Sequence, residues 1–313
     1  MSNNQSSSKS STINSEPDKA PMPEHNPQVA LPKKQRLNPI WQARLNRFRQ
    51  NRLGVISLFV FAVIFVICMA ANVIANDKPL LVQYQGDYYF PVLKAYPETT
   101  FGGVFETETN YKDPAVQSLI DEQGFYIMPP IPFADQTPNV ELGLPYPAAP
   151  NAQNWLGTDD MGRDVLTRIL YGMRVSLLFG LALTLAGALI GIIVGAIQGY
   201  YGGWVDLAGQ RFMEVWGGMP QLFMIIILVS LFSPSIIMLF AMMLLFGWMG
   251  LVGLVRAEFL RARNFDYVRA ARNLGVSDSQ IMLRHILPNA LASSLSQLPF
   301  ILTANIIALT ALD

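Results

Sequence analysis

From Leu53 to Ala75 the chain runs almost without a polar side chain. Comparable apolar runs follow at 175–198, 207–232 and 235–255, and a last one begins near Leu287 and extends to about residue 310. Roughly twenty consecutive apolar residues are enough for a helix to cross bilayer hydrocarbon. The pattern therefore predicts five spans and an all-α integral membrane fold. Three polar stretches break it: residues 1–36, 76–172 and 264–286.

Each polar stretch reads differently. Residues 1–36 are rich in Ser, Asn, Gln, Pro and Lys and poor in aliphatics, which predicts a disordered tail. At 37–52, Trp41, Leu45 and Phe48 recur at helical spacing, with Arg44, Arg47, Arg49 and Arg52 largely opposite. That is the pattern of an amphipathic helix lying in the membrane interface. Residues 76–172 carry acidic side chains, many prolines and the aromatic run "VQYQGDYYFPV". A small, partly ordered subdomain is expected there, with a hairpin as one form it can take.

Charge sets an orientation. Lys33, Lys34, Arg36 and the four arginines above precede the first span, and the positive-inside rule puts them in the cytoplasm. Counting spans then places 76–172 in the periplasm as an insert, and 264–286 back in the cytoplasm with its arginines. The expected topology is multi-pass, with the N-terminus inside. Composition agrees: 51% of residues are hydrophobic and 14% charged, against about a quarter charged in soluble domains. Net charge is zero, so no overall field argues for nucleic acid. The lone cysteine, Cys68, has no partner within the chain for a disulfide. His25 and His285 stand apart and compose no metal site.

The 264–286 segment is long and patterned for a connector. "FDYVRAARNL" reads as a helix, Gly275 as its left-handed end, and Ser277-x-x-Gln280 as a capping box opening a second helix. Pro288 then stands at the entry to the last span. A capped pair of short helices between two spans suggests a docking element.

Here a family resemblance becomes specific. "AARNLG" followed by "HILPN" resembles the coupling loop of bacterial ABC-importer permeases. The residues that carry it are Ala270, Ala271, Gly275, Leu287 and Pro288, with Ile286 beside them, and Leu274 joins them as a coupling candidate. Arg269 stands where that family usually has Glu. Upstream, "NWLGTDDMGRDVL" resembles the signature before the second span of C-type permeases for dipeptides, oligopeptides and nickel. Its matching residues are Trp155, Gly157, Thr158, Asp159, Gly162, Arg163 and Asp164. The insert gives a finer likeness to the Yej-type permeases, whose importers take oligopeptides and the peptide-nucleotide antibiotic microcin C.

The resemblance implies an ABC permease bundle of six spans, one more than the five visible here. It implies a transport subunit, not an enzyme, with no cofactor. Its partners would be a second permease in a heterodimer, a cytoplasmic ABC ATPase and a periplasmic substrate-binding protein. Residues 264–286 would receive the ATPase, through Arg269 and the residues just named. A nickel or other small-solute permease of the same family is the alternative cargo class. A channel or secondary transporter is the competing class, and neither needs a docking helix pair. Paired carboxylates at Asp159-Asp160 permit acid–base chemistry, but "GTDD" reads better as a turn and cap.

Polar residues within the spans are candidates for lining a path: Asn289, Ser293, Ser294, Gln297 and Asn305, with Glu214 from the third span. Holding helices together is an equal reading for the first five. Glu214 also lies three residues from Arg211, the spacing of a simple helical ion pair.

Overall fold

The computed structural model describes residues 46–143, 145–232 and 235–311. The expected tail at 1–36, with Trp41, Arg44 and Leu45 of the amphipathic stretch, lies outside them, as do Ser233 and Pro234. Of the expected 37–52 helix, the described part is helical and exposed over 46–50. The chain divides into two units between Leu58 and Phe59. The boundary falls within the first long helix, α1 (Arg52–Met69). Cys68 is the buried residue of α1, and most of its other side chains are exposed. A helix apolar all round reads as a core or membrane-spanning helix.

Residues 76–164 form a small α+β unit. β1 (Leu81–Tyr84) turns through Gln85 and Gly86, both at positive φ, into β2 (Asp87–Tyr89). β3 (Gly124–Ile127) adds antiparallel on the other side of β1, giving the order β2-β1-β3. α2 (Pro114–Gln123) precedes β3 and is opened by Asp113, whose side chain accepts the Ala115 N–H at 2.9 Å. Phe101 is fully buried at the centre, and the rings of Tyr84, Tyr89, Tyr96 and Tyr111 stand edge-on to it. Each such pair adds about 0.5–1.5 kcal/mol beyond simple burial, so the subdomain coheres without a disulfide. Burial pushes the Tyr111 phenol up to about 12, against a smaller lowering by the Thr109 side chain.

The bundle is organised on α3 (Val165–Tyr201), a helix of 37 residues. It begins about ten residues before the predicted second span, because the signature turn feeds straight into it. α6 (Ile236–Ala262) lies against it, passing through a 3-10 turn at Trp248–Leu251. A Cβ on Gly191, Gly195 or Gly199 would stand 2.5, 2.7 and 2.5 Å from the carbonyl oxygens of Trp248, Val252 and Arg256. Four-residue spacing puts the three glycines on one face of α3. They bring the two backbones together as small residues do between membrane helices.

The expected third span, 207–232, is not one helix. α4 (Gly203–Gly217) and α5 (Gln221–Leu231) are separated by Gly218, Met219 and Pro220. Pro220 has no N–H to continue the ladder. The last stretch is bent as well: α8 (Asp278–Leu295) and α9 (Leu298–Thr310) meet at 54°. Among the described residues three helices are long and apolar enough to cross a membrane, or four if the bent pair is one span. α7 (Asp266–Asn273) lies between α6 and α8.

Candidate functional site

The signature residues close on themselves. Asp164, which is buried, sits at the N-cap of α3, and its Oδ1 accepts the Thr167 N–H at 2.7 Å. Its Oδ2 accepts from Asn154 Nδ2 at 2.9 Å, and Asn154 Oδ1 accepts from Asn139 Nδ2 at 2.8 Å. Asp159 Oδ1 takes the N–H groups of Met161 and Arg163, both at 2.9 Å. Its Oδ2 takes Arg163 Nε at 2.8 Å and Arg168 Nη1 at 2.5 Å. Burial by itself would raise this carboxyl, but those four donors outweigh it and hold Asp159 below its ordinary range.

Thr158 is buried and exchanges bonds with the Ala148 backbone at 2.9 and 3.0 Å. Gly157 and Gly162 both take φ +77°, and a Cβ on Gly162 would enter the Tyr146 ring. Trp155 projects outward, 58% exposed. "GTDD" is thus a turn, as its composition indicates, while the helix cap falls five residues later, on Asp164.

At the other end of α3, the 264–286 segment folds as an elbow. α7 ends in a Schellman motif: the N–H of Val276 bonds to the Ala271 carbonyl at 3.1 Å and that of Gly275 to Arg272 at 3.0 Å. This requires the left-handed conformation that Gly275 adopts, φ +79°. Ser277 occupies the N-cap position of the next turn, but its side chain makes no cap bond. The expected capping box therefore does not form, and the Ser277 hydroxyl lies 3.5 Å from that of Ser279. Ile281–Ile286 is a π-helical turn within α8, a form that often marks functional positions.

The eight coupling candidates fall on two faces. Ala271 and Ile286 are buried in a core with Tyr200, Phe259, Val268 and Ile281. They hold the elbow onto the bundle and present no surface. Arg269, Ala270, Leu274, Gly275 and Pro288 are exposed, and Leu287 is half-buried. Leu274 is 83% exposed.

Four contacts around the Tyr200 end of α3 carried no sequence signal. The Tyr200 hydroxyl donates to Asp278 Oδ1 and accepts from Arg272 Nη2 at 3.0 Å. Arg263 donates to the Tyr200 carbonyl at 3.3 Å. Arg256 forks onto Asp206, with Nη2 2.7 Å from Oδ2. The partners are separated by tens of residues, so no local pattern marks them.

The path candidates scatter. Asn305 Nδ2 donates to Thr184 Oγ1 at 2.9 Å, joining α9 to α3. Ser293 and the buried Ser294 both donate to the Ala290 carbonyl of their own helix. Asn289 and Gln297 are exposed. Glu214 pairs with Arg211 at 2.6 Å on the surface of α4. A cavity of about 870 Å³ opens beside the first turns of α3, with Arg168, Arg174, Phe179, Met238 and Leu309 among its walls. None of the six candidates lines it.

A polytopic helical bundle with a closed turn at one end of its longest helix and an exposed elbow at the other is the architecture of a membrane transport subunit. Comparison with known proteins agrees. Residues 165–313 match the family described as the inner membrane component of binding-protein-dependent transport systems. Residues 40–91 match the N-terminal membrane domain of oligopeptide transport permease C. The inner membrane ABC transporter permease protein YejE of Escherichia coli is 55% identical over 278 residues, 89% of this chain and 82% of the relative. The peptidoglycan transport system permease protein YejE of Agrobacterium fabrum is 45% identical over 309 residues, covering 91% and 81%. The oligopeptide transport system permease protein OppC of Escherichia coli is 32% identical over 252 residues, covering 80% and 65%. The chain belongs to the family of ABC-transporter inner membrane permeases.

Proposed function

We propose that this chain forms part of the translocation path of an ATP-driven importer for oligopeptides, peptide-nucleotide conjugates such as microcin C included. The relatives named for oligopeptide transport support the cargo class. The reading rests most on one observation: a capped elbow of short polar helices that turns Leu274, Ala270 and Arg269 outward. An exposed leucine on a rigid, internally anchored elbow suits insertion into a groove of another protein. The partner is a cytoplasmic ABC ATPase. A second permease and a periplasmic binding protein complete the assembly. ATP is hydrolysed in the ATPase, since the sequence holds no Gly-x-x-x-x-Gly-Lys-Ser/Thr loop. ATP binding then shifts the permease between inward- and outward-facing states by differential affinity.

Gly275→Val tests the elbow. Nothing lies within 4 Å of a Cβ built at Gly275, so the substitution strains only the backbone at φ +79°. The cost of leaving glycine there is roughly 1 kcal/mol, and more for a β-branched side chain. Membrane insertion is expected to be unchanged, while ATPase binding weakens or hydrolysis runs without uptake. Wild-type uptake by Gly275→Val would refute the reading.

The proposed orientation has the N-terminus in the cytoplasm and 76–172 in the periplasm, as the basic flank and acidic insert indicate. In a Cys68→Ser background, a cysteine at Ser118 should react with an impermeant thiol reagent on spheroplasts and one at Ser279 should not. The reverse pattern would overturn the orientation.

A further inference from the structure

Displacement of the 264–286 elbow has two routes into the membrane bundle. One follows the chain along α8. That route is interrupted by the π-helical turn Ile281–Ile286 and again by the 54° bend before α9. A π turn and a sharp bend are compliant places in a helix. The other route is lateral, through Tyr200. This side chain is buried, and its hydroxyl is bonded to both limbs of the elbow: Arg272 on α7 and Asp278 at the start of α8. The Arg272 guanidinium also lies over the Tyr200 ring, 5.4 Å from its centroid. The carbonyl of the same residue is held by Arg263, in the linker before α7. Tyr200 is part of α3, which continues unbroken for 37 residues to Asp164 and is locked backbone-to-backbone onto α6 at Gly191, Gly195 and Gly199.

We propose that Tyr200 is the positioning residue that carries movement of the elbow into α3, and that the lateral route, not α8, is the coupling path. The idea rests on the reading of the elbow as the ATPase contact. Tyr200→Phe keeps the ring and its packing and removes one hydroxyl that both donates and accepts.

The test uses the complete importer in proteoliposomes, with a labelled tetrapeptide delivered by its binding protein, and reads uptake and ATP hydrolysis separately. Tyr200→Phe is expected to lower peptide transported per ATP roughly tenfold or more, the equivalent of one hydrogen bond to a charged group. Assembly with the ATPase should be unchanged. Asp278→Ala, which removes the acceptor, should lower the ratio too, and the double variant should fall little further than the worse single, because both break one shared contact. A merely structural role would reduce assembled complex or thermal stability and leave the ratio alone, and that result overturns the proposal. So does an unchanged ratio, or fully additive losses. Should Tyr200→Phe assemble poorly, Asp278→Ala, at an exposed position, carries the test. Gly275→Val measured in parallel separates the two ideas. If it uncouples and Tyr200→Phe does not, the relay alone fails. If neither uncouples, the elbow reading fails with it.

Discussion

At the Asp164 end of α3, the signature side chains bond within their own chain: Asp164, Asn154, Thr158 and Asp159 are tied to one another or to nearby backbone. At the Tyr200 end, the elbow is anchored by Ala271, Ile281 and Ile286 from within and turns Arg269, Ala270 and Leu274 outward. Both ends carry family motifs, yet they do different work. The signature turn launches a long helix at a defined position. The elbow leaves its outward side chains available for the proposed ATPase contact. A motif thus marks a position, and only the satisfaction of each polar group tells whether that position serves as scaffold or as contact.

The largest expected effect lies at the closed end. Asp164→Ala removes the α3 cap and strands the Asn154 amide inside the protein. Losing a cap costs about 0.5–2 kcal/mol and a stranded buried polar group about 1–3 kcal/mol. Yield and thermal stability in detergent should both fall sharply. A protein as stable as wild type would mean that the turn is not the closed scaffold described here.

An intermediate effect is expected at the open end, and only on association. Leu274→Ser should leave thermal stability within about 0.5 kcal/mol, as exposed substitutions do. Affinity for the ATPase should drop roughly tenfold, as for an apolar anchor removed from a groove. Loss of stability with unchanged affinity would invert the comparison.

The smallest effect sharpens the closed end. Asp159 is held below its ordinary range, so the stability it contributes is present above the unfolded carboxylate value of about 3.9. It is lost as pH falls through the lowered folded-state value. Melting temperature should decline in that acid window, and Asp159→Asn should flatten the decline. An equal decline in the variant would assign the acid sensitivity to other carboxylates.

Much of this was legible from local patterning. Gly275 after "AARNL" reads as a helix end because glycine takes that backbone without steric cost, and it does end α7. Ser277 and Gln280 share the capping-box spacing without forming the box, since spacing permits a bond that the backbone need not make. The 207–232 run reads as one span because hydropathy sums over a window, while one missing N–H at Pro220 is enough to part α4 from α5. The path candidates were chosen for polarity alone. Polarity cannot separate Asn305, bonded across to Thr184, from Gln297, which is exposed.

The sequence by itself determined the features set by neighbouring residues: apolar length, basic flanks, turn glycines and the residue types of two family motifs. Tertiary structure alone decided which face of each helix is turned inward. Ala270 and Ala271 are adjacent and chemically identical, yet one is exposed and the other buried. Gly191, Gly195 and Gly199 acquire their purpose from the carbonyls of Trp248, Val252 and Arg256, far along the chain. Tyr200 acquires its own from Arg272 and Asp278, more than seventy residues on. The physical reason is the same in each case. Backbone preference is a property of a few consecutive residues, whereas burial and hydrogen-bond partnership belong to groups that meet only after the chain has folded.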